Sequence, residues 1–431
     1  MKNAPLYTRR EFLRAGLLGG AVAHSAPAFL LSTINALHAS AAESVVQAIT
    51  GRDAPILVVL QLSGGNDGLN TVVPYANDLY YKARPTIGIK PGEVIKLDDL
   101  NGLNPALAGL GDLYHDGLAA VVHGVGYPNP NRSHFRSMEI WHTAVDADRS
   151  SSRGWLGRYF DNTCSGCDPT IAINIGKENP QAFAAQIPKG ISFQAEKKLA
   201  FDDPLSAVHA MMEDEDAEAA GGSIAYLRGG GGTAQIDALD FIEKTAMHAQ
   251  VSTEQINSIS KIYAAQETFP NTGLGRDLRT VAQLIGGGMP TRIYYVSLGG
   301  FDTHANQLGA HRNLLATFGD AMKAFQRELK RQGNQERVLT LAFSEFGRRV
   351  GENAGRGTDH GAAAPCFLFG GKVKAGVHGT MPSLDPTRLA QGDLVHTTDF
   401  RSIYTGILED HMQTNSKAIL GRKFPKPVLF G

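Results

Sequence analysis

Pro55-Ile56-Leu57-Val58-Val59-Leu60-Gln61-Leu62, running straight into Ser63-Gly64-Gly65-Asn66-Asp67-Gly68, is the stretch on which the fold turns. A short apolar run without polar alternation, closed by a glycine-rich turn, reads as a strand buried on both faces, as in a parallel sheet. Such a strand needs neighbours of the same kind and helices to cover it.

Both are present further along. Asn104 to Asp116 reads as a helix, with Asn104 placed to cap, Pro105 suited to the first turn, and Leu107, Leu110 and Leu113 at helical spacing. A second strand follows at Leu118–His123, stopped by Gly124, and another at Ile171–Ile175. The C-terminal half repeats the theme. Helices are expected over Asp277–Gly286 and Gln307–Arg331, and strands over Arg292–Leu298, Val338–Phe343 and Pro365–Phe369. Helices alternating with strands imply an α/β fold with a mostly parallel sheet covered on both faces. Ligands of such sheets bind beyond the carboxyl ends of the strands, so the polar residues just after each strand are the candidates.

Those residues share one chemistry. Asp67 follows the first strand, Gly299-Gly300-Phe301-Asp302-Thr303-His304 the strand at 292–298, and Ser344-Glu345-Phe346-Gly347-Arg348 the strand at 338–343; Thr358-Asp359-His360-Gly361 comes shortly after. Carboxylates and imidazoles are the ligands of zinc, manganese and similar ions, and glycines let the backbone approach closely. Each piece has a plain structural reading. Asp302 to His304 fits a capped turn, Glu345 fits an ion pair with Arg348 or Arg349, and Asp359-His360 fits a satisfied loop pair.

The chain has 431 residues, 41 Lys and Arg against 42 Asp and Glu, and a net charge of −1. This balance offers no basic stripe for nucleic acid. At the N-terminus, Arg9-Arg10 precede an Ala/Gly-rich apolar stretch, Ala15–Leu31, and the small residues Ala39-Ser40-Ala41. The order suits a twin-arginine signal peptide over residues 1–41 and export to the periplasm or beyond; an uncleaved anchor is the rival reading. Nothing later is apolar enough for a stable membrane span. Residues 42–431 then form the mature domain. Within it, 197–235 reads as a mobile, solvated insertion or a lid, with the acidic cluster Glu213–Asp216 and the glycines 229–232. Cys164 and Cys167 suit a small-loop disulfide in an oxidising compartment. A thioredoxin-like redox pair would need a βαβ context that is missing. Cys366, inside an apolar run, reads as core.

The motifs together resemble a known family. The arginine pair, L-S-G-G-N-D-G-L-N-T from Leu62, R-S-H-F from Arg132, G-G-F-D-T-H from Gly299, S-E-F-G-R from Ser344, T-D-H-G from Thr358 and T-T-D-F-R-S-I-Y from Thr397 are similar to DUF1501, a family of exported proteins grouped with the alkaline phosphatase-like and sulfatase-like superfamily. The resemblance spans essentially the whole mature chain. It implies one alkaline phosphatase-like α/β/α sandwich and hydrolysis of small anionic phosphate or sulfate esters at a divalent metal ion (zinc, manganese or calcium). By that resemblance Asp67, Asp302, His304, Glu345, Asp359 and His360 are metal ligands, with His396 a weaker match. Ser133 resembles the superfamily's nucleophile, Arg132 or Arg136 would hold anionic oxygens in a planar fork, and His134 would act as acid or base. Phe346 stands where the superfamily has a histidine, which leaves room for one metal or none. The alternative reading is a binding or assembly protein, with a protein partner, that keeps the fold without the chemistry. Ser133 also suits a helix cap.

Overall fold

Seven consecutive buried residues make β1 (Ile56–Leu62) the spine of the molecule. The computed structural model describes residues 53–164, 167–186, 190–193, 258–259 and 262–431. The expected signal peptide and the 197–235 insertion lie outside these residues. The principal strands that follow β1 are β2 (Ala119–Gly126), β3 (Ala172–Ile175), β4 (Ile191–Phe193), β5 (Ile293–Leu298), β6 (Val338–Phe343), β7 (Ala364–Phe369), β8 (Gly376–His378) and β9 (Thr398–Asp399). They form one sheet in the order β8-β2-β7-β6-β1-β5-β3-β4, with β9 also on β2. The strands are parallel in register, except that β7 runs antiparallel to both of its neighbours, β2 and β6. The fold is thus mixed α/β with a large, mostly parallel sheet, as the alternation of elements required.

Helices cover both faces. On one face lie α1 (Ala108–His115), α4 (Gly273–Gly286) and α5 (Gln307–Arg331). Leu315, Phe318, Met322, Phe325 and Leu329 recur along α5 at steps of three and four, so its apolar stripe is continuous. They pack with Ile56, Val58, Leu60 and Leu62 of β1 in the main core. Burying each such side chain contributes about 1.5–3 kcal/mol. On the opposite face lie α2 (His134–Thr143), α3 (Trp155–Thr163) and α6 (Phe400–Gly406). There Trp141 stacks on Phe343 at 4.6 Å and on Phe400 at 4.4 Å, and Trp155 stacks on Tyr404 at 4.1 Å. The helix expected from Asn104 begins as a 3-10 turn, Pro105–Leu107, capped by the Asn104 side chain, before α1.

The reversal of β7 matters most for function. β6 ends at the carboxyl edge of the sheet, and β7 starts from that same edge, because it runs the other way. The whole segment 344–363, with both the Ser344–Arg348 and Thr358–Gly361 motifs, is therefore confined to the edge onto which β1 and β5 also open. Simple alternation did not predict an antiparallel strand here. Cys164 and Cys167 form the expected disulfide and Cys366 is a buried thiol. No described helix is long and apolar enough to cross a membrane.

Candidate metal centre

Gly64 sets the geometry of the edge. Its φ of +118° is one that side chains rarely adopt, and a Cβ there would lie 2.5 Å from the backbone nitrogen of Asp302. The loops after β1 and β5 thus pack backbone against backbone, which the Gly-Gly pair permits. Arg348 fastens them. Its guanidinium is wholly buried and donates to the carbonyls of Gly64, Gly65, Phe301 and Thr358 at 2.5–3.0 Å, and to Asp302 Oδ1 at 2.8 Å. One side chain thereby joins three strand-end loops and fixes a carboxylate among them.

Around Asp302 three imidazoles converge. Nε2 of His304 lies 2.9 Å and Nε2 of His360 3.0 Å from Oδ1, while Nε2 of His134 lies 3.5 Å from Oδ2. The two nitrogens of His304 and His360 are themselves 3.0 Å apart. Ligand atoms of His134, Asp302 and His360 all fall within 4.8 Å of one another.

The outward nitrogens of these rings explain what the inward ones present. His360 Nδ1 donates to the carbonyl of Arg132 at 2.8 Å. His134 Nδ1 donates to Glu345 Oε1 at 2.8 Å. His304 Nδ1 faces Asp359 Oδ1 at 3.6 Å. A neutral ring with its proton on Nδ1 points a lone pair inward from Nε2, the arrangement by which a carboxylate or carbonyl behind a histidine prepares it for a metal. His134 Nε2 is buried and has no hydrogen-bond partner among the described residues. Burial opposes ionisation of Asp302, but hydrogen bonds from His360 and Arg348, with the charges of Arg348 and His304, hold its carboxyl well below the usual range. Without an ion, His360 Nε2 reaches this anion as a donor; a metal bound there would take the place of that proton. Three imidazoles and a carboxylate fit zinc or another transition metal better than calcium.

Several expectations change at this level of detail. Asp67 does not join the cluster. It is fully buried, paired with Arg84 at 2.6 Å, bonded by Gln307, and caps the short helix Gly68–Thr71. Burial raises its pKa, yet Arg84 outweighs that and the carboxyl sits below its ordinary range. Glu345 stands behind His134 rather than among the inward-facing groups. It is 2% exposed and also accepts from the Gly64 amide at 2.9 Å and from Ser344 at 3.1 Å. It pairs with neither Arg348 nor Arg349. Asp359 likewise stands behind His304, bonded by Asn353, whose hydrogen bond lowers its pKa against the opposing effect of burial. Arg132 sends its fork to Asp393 at 2.7–2.8 Å, so that its carbonyl, not its charge, serves the cluster. Arg136 is bound to Glu139 and to loop carbonyls. His134, expected as an acid or base, instead contributes a ligand-type nitrogen to the group it forms with Asp302 and His360. Ser133 occupies the N-cap position of α2, but its side chain makes no cap bond, so the hydroxyl is exposed and uncommitted beside His134. Phe346 is buried against the rings of His134 and His360, with centroids 4.9 and 4.8 Å away.

Two contributors had escaped the sequence reading, the stapling role of Arg348 and the docking face of α2. His134, Ser137 and Trp141 recur at helical spacing, and all three bond Glu345: His134 to its carboxylate, Ser137 Oγ and Trp141 Nε1 to its carbonyl. The 3-4 spacing was legible as a helix face; its shared target was not.

Among solved structures, the chain is similar to the lipoteichoic acid synthase LtaP from Listeria monocytogenes, at 9% identity over 90% of this chain and 80% of that one, with a TM-score of 0.37. A protein of the alkaline phosphatase superfamily from Vibrio parahaemolyticus gives 8%, 90%, 79% and 0.37, and the PsFucS1 sulfatase from Pseudoalteromonas sp. gives 13%, 79%, 69% and 0.34. Likenesses this distant say nothing of activity. No curated protein matches the chain in sequence. Residues 118–425 match the family described as a protein of unknown function, DUF1501, and since that span is well over half of the 431 residues, the chain belongs to this family.

Proposed function

We propose that this chain is a metal-dependent hydrolase of phosphate or sulfate esters that works outside the cytoplasm. The observation that carries the reading is the convergence of three Nε2 atoms, each backed on its Nδ1 side, around the Asp302 carboxylate. The Asp302 anion and the three Nε2 atoms offer ligand atoms to a divalent ion, which would displace the ring protons that otherwise face the carboxylate, and Arg348 reaches only one oxygen of that carboxylate. A divalent ion held by His134, Asp302, His304 and His360 would polarise an ester oxygen and lower the pKa of a nearby hydroxyl. The rest belongs to the chain. Ser133, at the head of α2 with its hydroxyl uncommitted, is the candidate nucleophile. Glu345 and Asp359 keep the rings of His134 and His304 turned inward, and Phe346 shields one side of the cluster from water.

One metal suffices for this site. Asp67 is committed to Arg84, and Phe346 occupies the place of a further histidine. These two departures also favour a second reading, in which the protein binds a metal and a partner without turning over an ester. Metal analysis combined with assays on 4-nitrophenyl sulfate and phosphate separates them. We expect about one zinc or manganese ion per chain, lost in Asp302→Ala and His360→Ala, and ester hydrolysis lost in Ser133→Ala with the metal retained. Metal without hydrolysis supports the partner-binding reading. A metal-free wild-type chain refolded with zinc that still takes none up overturns both.

Export rests on the Arg9-Arg10 context. Replacing both with lysine should hold the precursor in the cytoplasm; unchanged periplasmic accumulation in cell fractionation would refute the twin-arginine route.

A further inference from the structure

At the opposite end of α2 from His134 lies a second, unrelated cluster of charge. A ten-residue helix spans roughly 15 Å, so this region is distinct from the metal centre. It surrounds an open cavity of about 320 Å³ whose walls include four arginines, Arg149, Arg158, Arg401 and Arg422. At about 30 Å³ per water, the space greatly exceeds what an inorganic anion fills.

The charges in this wall do not balance. Arg401 is buried and already spans two carboxylates, with Nε and Nη2 on Asp399 at 2.9 and 2.6 Å and Nη1 on Asp146 at 2.6 Å. Arg422 Nη2 shares that same Asp146 oxygen at 2.7 Å and is half exposed. Arg158 donates only to carbonyls, those of Thr143, Arg153 and Ile419. Burial and the nearby charge of Arg153 push its pKa down to about 10, which marks a cation lacking a counter-charge. The exposed guanidinium of Arg149 has no ion pair among the described residues. Four cations thus meet two carboxylates. A mostly buried cation without its own anion is costly, and an anion in the cavity would relieve it.

The cavity also has an apolar side and a fixed geometry. Ala418 and the partly exposed Phe424 line it, and the Phe424 ring lies 4.6 Å from the Arg401 guanidinium and 4.8 Å from that of Arg422. Such cation–π contacts hold guanidiniums in place, and the planar fork is suited to the oxygens of a sulfate, phosphate or carboxylate. We infer that this cavity is a binding site for a small organic anion, its sulfate, phosphate or carboxylate head held by Arg149 and Arg422 and a sugar-sized body lying against Phe424 and Ala418.

Calorimetric titration of the full chain tests this with glucose 6-sulfate, glucose 6-phosphate, glucuronate and inorganic sulfate. Saturable binding of at least one organic anion is expected, tighter than inorganic sulfate, and the series identifies the preferred head group. The double variant Arg149→Ala/Arg422→Ala, both positions being exposed, should weaken that binding at least about tenfold. Asp302→Ala should leave it unchanged, whatever becomes of the metal centre. The inference is overturned if no organic anion saturates the wild type, if inorganic sulfate binds as tightly, or if the double variant binds normally. It is also overturned if Asp302→Ala alone abolishes binding.

Discussion

Asp67 and Asp302 both follow a strand of the same sheet, yet their surroundings give them opposite roles. The Asp67 carboxylate has Arg84 and Gln307 against it and no exposed surface. The Asp302 side chain is 48% exposed and ringed by imidazole nitrogens. Asp67→Ala should therefore leave metal content unaltered while lowering stability by about 3–5 kcal/mol, since it strands a buried guanidinium. Urea unfolding alongside metal analysis checks both halves, and loss of metal with normal stability would return Asp67 to the ligand set. For Glu345 the expected signature is different. Glu345→Gln keeps the size and an acceptor for His134 Nδ1 but removes the charge, so metal affinity should fall by about 10–100-fold. Competition against a chromogenic chelator measures this, and an unchanged affinity would remove Glu345 from its place behind His134. Sequence revealed which residue types gather at the strand ends, because carboxylates and imidazoles after apolar runs stand out. It could not reveal which of them face inward. That depends on Nδ1 partners such as the Arg132 carbonyl, which no residue type announces.

Elements position these residues through two devices, the reversed strand β7 and the staple Arg348. Most element boundaries were legible from apolar periodicity, as β6 and α5 illustrate, matching their expected spans of Val338–Phe343 and Gln307–Arg331. Strand direction was not, since a buried strand reads the same either way, and β7 shows the consequence. Its reversal brings His360 back to the edge where Asp302 waits. Arg348 then has to satisfy carbonyls from three loops at once. Arg348→Lys retains the charge but replaces a planar five-donor fork with a single ammonium, leaving several buried carbonyls unpaired at about 1–3 kcal/mol each. A loss of at least about 3 kcal/mol in urea unfolding is expected, together with weakened metal binding as the loops separate. A variant as stable as the wild type would show that the backbone contact at Gly64 alone holds the loops.

At the scale of the whole molecule, buried histidines outside the candidate metal centre should govern how the fold responds to acid. Burial pushes His123, His142, His311 and His411 each down to about 4. His142 sits under the sheet with Nε2 on the Tyr295 hydroxyl at 3.0 Å, and His411 lies against the Ile56 carbonyl at the start of β1. In the unfolded chain such rings titrate near the ordinary imidazole value of about 6.5. Between about 6.5 and about 4 the unfolded state therefore binds more protons than the native one. Stability is complete above that window and falls as pH drops through it, each histidine adding a slope of about 1.4 kcal/mol per pH unit. The depressed carboxylates Asp67, Asp146 and Asp302 act in a separate window. Their folded pKa values lie below the ordinary aspartate value of 3.8, so their contribution is present above that value and fails only in stronger acid. Urea unfolding from pH 7.5 to 4, in chelator so that ion loss does not contribute, should show the histidine limb first. His142→Gln, which keeps a polar side chain beside Tyr295, should flatten that limb by one proton's worth. An acid limb as steep in this variant as in the wild type would mean that His142 takes up its proton without unfolding. The loss of stability would then belong to His123, His311 and His411.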